Sequence, residues 1–292
     1  MQADPAERLA VDADGVGHRL GILGQVLPLS LGVNPAVDDH PTTIAPDLSR
    51  PDNVRSMPTV ILVRHGRSSA NTSGVLAGRT PGVKLDETGL QQAAAVAERL
   101  AELPLAAIVT SPLDRCKQTA AAIAKYHQEL RPATDRRLTE CGYGDWTGKK
   151  LSALMKEPLW PVVQQHPSAV TFPNGESMRG MQQRAVDAVR AHDAALAESH
   201  GPGALWVAVS HADVIKAIVA DALAQHLDTF QRIVVDTAST TIITYTQTRP
   251  FLVRLNDSGS ELASLIPKPA EPAKGRRRKP TKQSSDAVVG GR

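Results

Sequence analysis

Val60-Ile61-Leu62-Val63-Arg64-His65-Gly66-Arg67-Ser68 is the stretch that decides the fold of this 292-residue chain. Four consecutive apolar residues read as a strand buried on both faces, the kind a parallel sheet flanked by helices requires. The run ends in an arginine, a histidine and a glycine. An imidazole therefore stands at the carboxyl end of a strand, beside a permanent cation and a flexible turn, where open α/β sheets bind their ligands. A histidine so placed can act as a nucleophile. The neighbouring guanidinium is a planar fork of donors that matches phosphate oxygens.

Outward from this strand, apolar runs alternate with helical patterns. Gly89–Leu103 carries Leu90, Ala93, Ala94, Ala97 and Leu100 at helical spacing. Leu105–Thr110 reads as a strand. Leu113–Tyr126 reads as a helix after a break at Ser111-Pro112, with proline suited to its first turn. Leu151–Gln165 predicts a helical pair interrupted at Pro158 and Pro161. Ser177–Ser199 predicts a long helix, capped by Ser177 and ended by Gly201-Pro202-Gly203. Leu205–Ser210 is another apolar strand, followed by a helix over Asp213–Leu223 in which Asp213 is the expected cap. Arg232–Val235, Thr240–Tyr245 and Phe251–Leu255 read as strands that finish the sheet. This order implies an α/β fold, a three-layer α/β/α sandwich with a mainly parallel sheet, over residues 57–262.

The flanks differ in composition. Residues 1–56 hold eight acidic and four basic residues, no sustained periodicity, and scattered Gly and Pro. They read as a disordered extension, and Met57, directly before the first strand, as an alternative start. Leu20–Val33 is mildly apolar, but acid-rich residues precede it and no convincing cleavage site follows, which argues against a secretory signal. Residues 263–292 hold eight basic and two acidic residues and read as a basic, Pro-rich disordered tail. The formal charge of +3 therefore comes from the tail, and no specific nucleic-acid partner is expected for the body. No apolar run is long enough for a membrane span. Two cysteines, Cys116 and Cys141, make no disulfide framework and fit a reducing, cytoplasmic compartment. Neither starts a Cys-x5-Arg loop, since Ala122 and Thr147 stand where the arginine would be.

Further elements join the opening triplet. Asn71, six residues after His65, can donate its amide to a phosphate oxygen. Arg115, in Thr110-Ser111-Pro112-Leu113-Asp114-Arg115, falls in the first turn of a helix at the same sheet edge. Glu140 stands in Leu138-Thr139-Glu140-Cys141-Gly142-Tyr143. Val209-Ser210-His211-Ala212 again delivers a histidine at a strand end.

With these residues the chain resembles the histidine phosphatase superfamily, the phosphoglycerate-mutase-like proteins, in its bacterial phosphatase branch. The resemblance covers roughly residues 58–256. It rests on Arg64-His65-Gly66 with Asn71, Ser111-Pro112-Leu113-x-Arg115 with Thr119-Ala120, Leu138-x-Glu140 leading to Gly144-Asp145-Trp146-x-Gly148, Gly175-Glu176-Ser177, and Ser210-His211. It implies that His65 attacks phosphorus and that Arg64, Arg115 and His211 hold the phosphoryl oxygens. It further implies that Glu140 protonates the leaving oxygen and then assists water, and that Asn71 adds a phosphate contact. Phosphoryl transfer relies mostly on positioning and charge stabilisation, which two guanidinium forks and a second imidazole supply. The implied partner is a small-molecule phosphate ester. No cofactor and no metal are implied, and the chain carries no His-Glu-x-x-His motif. Oligomeric state is not legible.

The chain departs from the family pattern at Arg67, where Glu or Gln is usual, at Ala212 and at Lys216. Arg67 is expected to favour a more anionic substrate. No arginine directly follows Glu140, so hydrolysis is expected over the mutase reaction, with a non-catalytic phospho-ligand module as the non-enzymatic alternative. Trp146, Trp160 and Phe172 read equally as an apolar cover over the site or as core.

Overall fold

The computed structural model describes residues 56–259; the expectations for 1–55 and 260–292 lie outside the described residues. The sheet is built from β1 (Ser56–Arg64), β2 (Leu105–Thr110), β3 (Ala133–Thr134), β4 (Leu205–Ser210), β5 (Thr240–Thr246) and β6 (Phe251–Asp257). Their order across the sheet is β3-β2-β4-β1-β5-β6. The first four run parallel, and β5 and β6 add antiparallel strands at one side.

The opening apolar run explains the layering. Val60 and Leu62 project into a core shared with α6 (Met178–His200) and α7 (Ala212–Ala222). Ile61 and Val63 project into a second core on the opposite face, shared with α2 (Glu87–Leu100) and α3 (Asp114–Ala124). Successive side chains alternate faces, so an unbroken apolar run is what a central strand of a three-layer sandwich needs. β4 behaves identically: Trp206 and Ala208 enter the first core, Val207 and Val209 the second. α7 is buried nearly all round, from Ala212 to Ala220, which suits its apolar sequence.

Helix ends follow their local chemistry. Asp86 caps α2 by accepting from the Gly89 backbone N–H, and Ser177 caps α6 by accepting from Gly180. Gly201, at φ +85°, ends α6. A short helix, α1 (Ser69–Ser73), follows the His65 turn, and α4 (Leu151–Leu154) and α5 (Trp160–Gln165) form the interrupted pair around the prolines. Pro112 falls before α3 rather than in its first turn, since Leu113 is the N-cap.

Two expectations are corrected. Arg232–Val235 is not a strand. Arg232 closes a short 3-10 turn over Leu227–Arg232. The Val235 carbonyl then accepts from Arg64 Nη1, and the Asp236 N–H donates to the Asn256 side chain, so these backbone groups find partners outside any ladder. Asp213 does not cap α7. His211 is the N-cap residue, with no side-chain capping bond, and Asp213 Oδ2 instead accepts from the Tyr143 hydroxyl at 2.7 Å.

The turn after His65 is sterically tight. A Cβ placed on Gly66 would stand 2.4 Å from the Gly89 carbonyl oxygen, against backbone that has no rotamer to yield. Gly66→Ala is therefore expected to destabilise the protein by about 1–3 kcal/mol, read as a lower Tm. It should also depress activity, because the backbone that must shift carries His65.

Candidate active site

The carboxyl ends of β1, β2 and β4 deliver the site. β1 ends at Arg64 with His65 directly after it, β2 leads through Ser111 to Arg115 in the first turn of α3, and His211 directly follows β4. The loop after a 3-10 turn, Arg136–Leu138, brings in Glu140. All five residues are buried.

His65 is fixed by its neighbour. Its Nδ1 lies 2.7 Å from the Gly66 carbonyl, which can only accept, so Nδ1 carries the proton and Nε2 keeps its lone pair. Burial, then the charges of Arg115 and Arg64, push the His65 pKa well below its ordinary value. The imidazole is therefore neutral near pH 7, as a nucleophile must be.

Arg115 ties the cluster together. Its Nε donates to His65 Nε2 at 3.3 Å, and its Nη2 donates to the Gly78 carbonyl at 2.8 Å and to His211 Nδ1 at 3.3 Å. Its Nη1 is buried without a hydrogen-bond partner. A buried, unsatisfied donor of a charged group is costly unless an acceptor meets it. Arg64 sends Nη1 to the Val235 carbonyl at 2.7 Å. Burial pulls its pKa down, against the opposing pull of Glu140 and Asp213, and an arginine remains a cation through such shifts.

His211 stacks edge-on to His65, with ring centroids 5.2 Å apart. Nδ1 accepts from Arg115, so Nε2 carries the proton and donates to Ser111 Oγ at 2.8 Å. Burial, then Arg115 and His65, hold its pKa well below the usual range. Glu140 Oε2 lies 3.9 Å from His211 Nδ1, and Oε1 accepts from the Cys141 N–H at 2.9 Å. Burial, then the Asp213 carboxylate, raise the Glu140 pKa to about 7, against the lowering influence of Arg115 and Arg64. A carboxyl that is half protonated near neutrality can both give and take a proton.

Replacing Asp213 by asparagine removes that second cause. The Tyr143 hydroxyl retains an acceptor, while buried Lys216 loses the charge it faces at 3.8 Å, so Tm is measured alongside. The Glu140 pKa is then expected to fall, moving the alkaline limb of any profile that needs protonated Glu140 to lower pH. Steady-state rates across pH 5–9 check the direction.

Asn71 and Arg67 hydrogen-bond outside the five-residue cluster. Asn71 Oδ1 accepts from the Ser68 N–H at 3.0 Å and from Ser68 Oγ at 2.7 Å, completing the capping box of α1. Arg67 Nε pairs with Asp86 Oδ2 at 2.7 Å and its Nη2 donates to Thr88, so the guanidinium braces the start of α2. The aromatic residues are core. Trp146 stacks on Trp160 at 6.1 Å and packs edge-on to Phe172, and all three are buried. Both thiols are free and buried. Burial first pushes Cys116 up to about 12 and Cys141 well above its ordinary value, so neither is a thiolate near pH 7.

Sequence reasoning gave no role to four residues around the site. Ser111, quoted as a helix break and within the Ser111-Pro112-Leu113 motif, orients His211. Arg79 Nε donates to the Glu140 carbonyl at 2.8 Å, and Arg184 Nη2 reaches the same oxygen at 3.2 Å. Glu176 pairs with both arginines and accepts from the Gly142 N–H. Glu140 is thus held by two arginines that share one carboxylate. Among the described residues, no group of three or more His, Cys, Asp or Glu side chains is placed to hold a metal ion, and no helix is long and apolar enough to cross a membrane.

A family model described as histidine phosphatase superfamily (branch 1) matches residues 60–258. Among curated relatives, the uncharacterised protein Rv0525 of Mycobacterium tuberculosis is 39% identical over 113 residues, 35% of this chain and 55% of that protein. The fructose-2,6-bisphosphatase TIGAR of Xenopus tropicalis is 37% identical over 129 residues, 43% of this chain and 46% of that protein. The chain thus spans about half the length of these relatives. Bacillus stearothermophilus YhfR superposes with a TM-score of 0.63 at 28% identity, covering 68% of this chain and 97% of that one. The mycobacterial glucosyl-3-phosphoglycerate phosphatase Rv2419c with VO3 gives 0.62 at 25%, covering 68% and 99%.

Proposed function

The chain belongs to the histidine phosphatase superfamily, and from that premise we propose that it is a metal-independent phosphomonoesterase acting through a phosphohistidine on small phosphorylated metabolites. The observation that carries this reading is the state of His65. Its Nδ1 proton is anchored on the Gly66 carbonyl, and its Nε2 lone pair sits 3.3 Å from Arg115, whose Nη1 is buried without a partner.

In this reading, an ester's phosphoryl group meets Arg115, Arg64 and His211. His65 Nε2 attacks phosphorus as the ester P–O bond breaks, and protonated Glu140 gives its proton to the leaving oxygen. Glu140, now a carboxylate, takes a proton from water, whose oxygen attacks phosphorus. The N–P bond breaks, and inorganic phosphate leaves. Asn71 adds a donor through its amide nitrogen, its carbonyl being held by Ser68. The charge on the transferring group is met by preorganised donors in a buried site. Relatives named as phosphatases support the reaction class. Two free, buried thiols support a reducing, cytoplasmic compartment.

Phosphate release from a panel of metabolite esters, measured with a chelator present, tests the proposal. Turnover in chelator is the expected result. Isomerisation of phosphoglycerate dependent on a bisphosphoglycerate primer would make the protein a mutase, and no turnover on any ester would make it a binding module.

A further inference from the structure

Beside the catalytic cluster lies an open cavity of about 560 Å³ with a strongly one-sided charge. Arg79, Arg136, Arg137 and Arg184 all line it, against a single lining carboxylate, Glu176. The cavity adjoins the catalytic residues along the chain: its wall includes Leu113, two residues before Arg115, and Thr139, directly before Glu140.

The four guanidiniums are not equivalent. Arg184 is fully engaged, with Nε and Nη2 on Glu176, Nη1 on the Arg137 carbonyl and Nη2 also on the Glu140 carbonyl. Arg137 is paired with Asp135. Arg79 gives Nε to Glu140 and Nη2 to Glu176, which leaves Nη1 without a hydrogen bond. Arg136 is exposed and makes no side-chain hydrogen bond or ion pair with a described residue. Counting Asp135 with Glu176, two positive charges remain in excess around one concavity. A concave wall with low-dielectric backing concentrates such a field on a ligand. Guanidinium forks with donors to spare fit a carboxylate or phosphate.

We propose that this cavity is a second anion subsite, so that the preferred substrate is a phosphate ester whose leaving group carries another anionic group, a carboxylate or a second phosphate. The inference rests on the phosphatase reading above and deepens it. Arg136, with Arg79 Nη1, supplies the recognising donors, while Arg184 and Arg137 hold the wall and add charge. The specificity that Arg67 was expected to confer is thereby assigned to the cavity on the Glu140 side.

Matched esters test this. Glycerol 3-phosphate and 3-phosphoglycerate differ by a carboxylate; glucose 6-phosphate and glucose 1,6-bisphosphate differ by a phosphate. The wild type is expected to favour the more anionic member of at least one pair, and which pair shows the preference tells carboxylate from phosphate. Arg136→Ala should erase about tenfold of that preference, chiefly through KM, the scale of one charge-assisted hydrogen bond. It should leave kcat/KM for glycerol 3-phosphate and glucose 6-phosphate within about twofold, because Arg136 touches none of the five cluster residues. Arg136→Lys should restore part of the preference, and raising salt from about 20 to 200 mM should weaken it. Equal rates for both members of each pair in the wild type, or an equal loss for both members in Arg136→Ala, would overturn the subsite. If no ester turns over, the phosphatase reading fails instead. Calorimetric binding of 3-phosphoglycerate against glycerol 3-phosphate then decides the subsite: tighter binding of the first, lost in Arg136→Ala, supports it, and equal affinities overturn it.

Discussion

His65→Ala is expected to reduce kcat/KM for every phosphate ester by about 10⁴-fold or more, the scale seen when a covalent nucleophile is removed from a preorganised site. No neighbouring group is equipped to replace it. Cys116 is pushed up to about 12, chiefly by burial, and Cys141 well above its ordinary value. The Ser111 hydroxyl accepts from His211, and His211 Nδ1 is covered by Arg115. The substitution deletes one side chain whose partners are the Gly66 carbonyl and Arg115, so the sheet should survive. Circular dichroism and Tm separate lost chemistry from lost fold. A variant that keeps its fold and also keeps more than a tenth of wild-type turnover would place the nucleophile elsewhere.

Glu140→Gln is expected to produce the second large effect, and one that depends on the leaving group. Alkyl esters release an alkoxide that needs a proton, so their kcat/KM at pH 6 should fall by about 10²–10⁴-fold, the usual worth of a positioned general acid. p-Nitrophenyl phosphate releases a stable phenolate and should lose far less in the bond-breaking step. Glutamine keeps the oxygen that accepts from the Cys141 N–H, so a structural role alone would not separate the two substrates. The pH profile gives an independent reading. With burial and Asp213 raising Glu140 to about 7, the acid form dominates below that pH and is lost above it. For alkyl esters, kcat/KM should therefore fall as pH rises through about 7, and the glutamine variant should lack that limb. Equal losses for alkyl and aryl esters would contradict the acid role.

The parts of this molecule that were legible in the sequence are those written locally. Val60–Val63 is apolar without interruption because β1 is covered on both faces, and Leu105–Thr110 and Leu205–Ser210 match β2 and β4 residue for residue. Ser177 and Gly201 mark the ends of α6 because caps are local hydrogen bonds and local backbone angles. His65, Arg115, Glu140 and His211 could be grouped because three of them sit at or just beyond strand ends, and a parallel sheet gathers those ends at one edge. The rest depends on tertiary partners. Val235 and Asp236 follow an apolar pair that imitates a strand, but their backbone groups are taken by Arg64 and Asn256. Asp213 stands where a cap would, and Tyr143, seventy residues away, claims it. Arg67 neighbours the triplet in sequence, and its partners Asp86 and Thr88, about twenty residues on, are not written in that triplet. The Arg79–Glu176–Arg184 brace joins Arg79 to a segment about a hundred residues later, a pairing no local spacing announces.

The central claim is that the phosphoryl group passes through His65. Rapid acid-free quenching of the enzyme during turnover of a good ester, followed by mass spectrometry of its peptides, tests it most directly. The account predicts one phosphoryl group on the peptide that carries His65, stable to alkali, lost in acid, and absent from His65→Ala. Sustained turnover with no phosphate on that peptide, or with phosphate on a different residue, would contradict it.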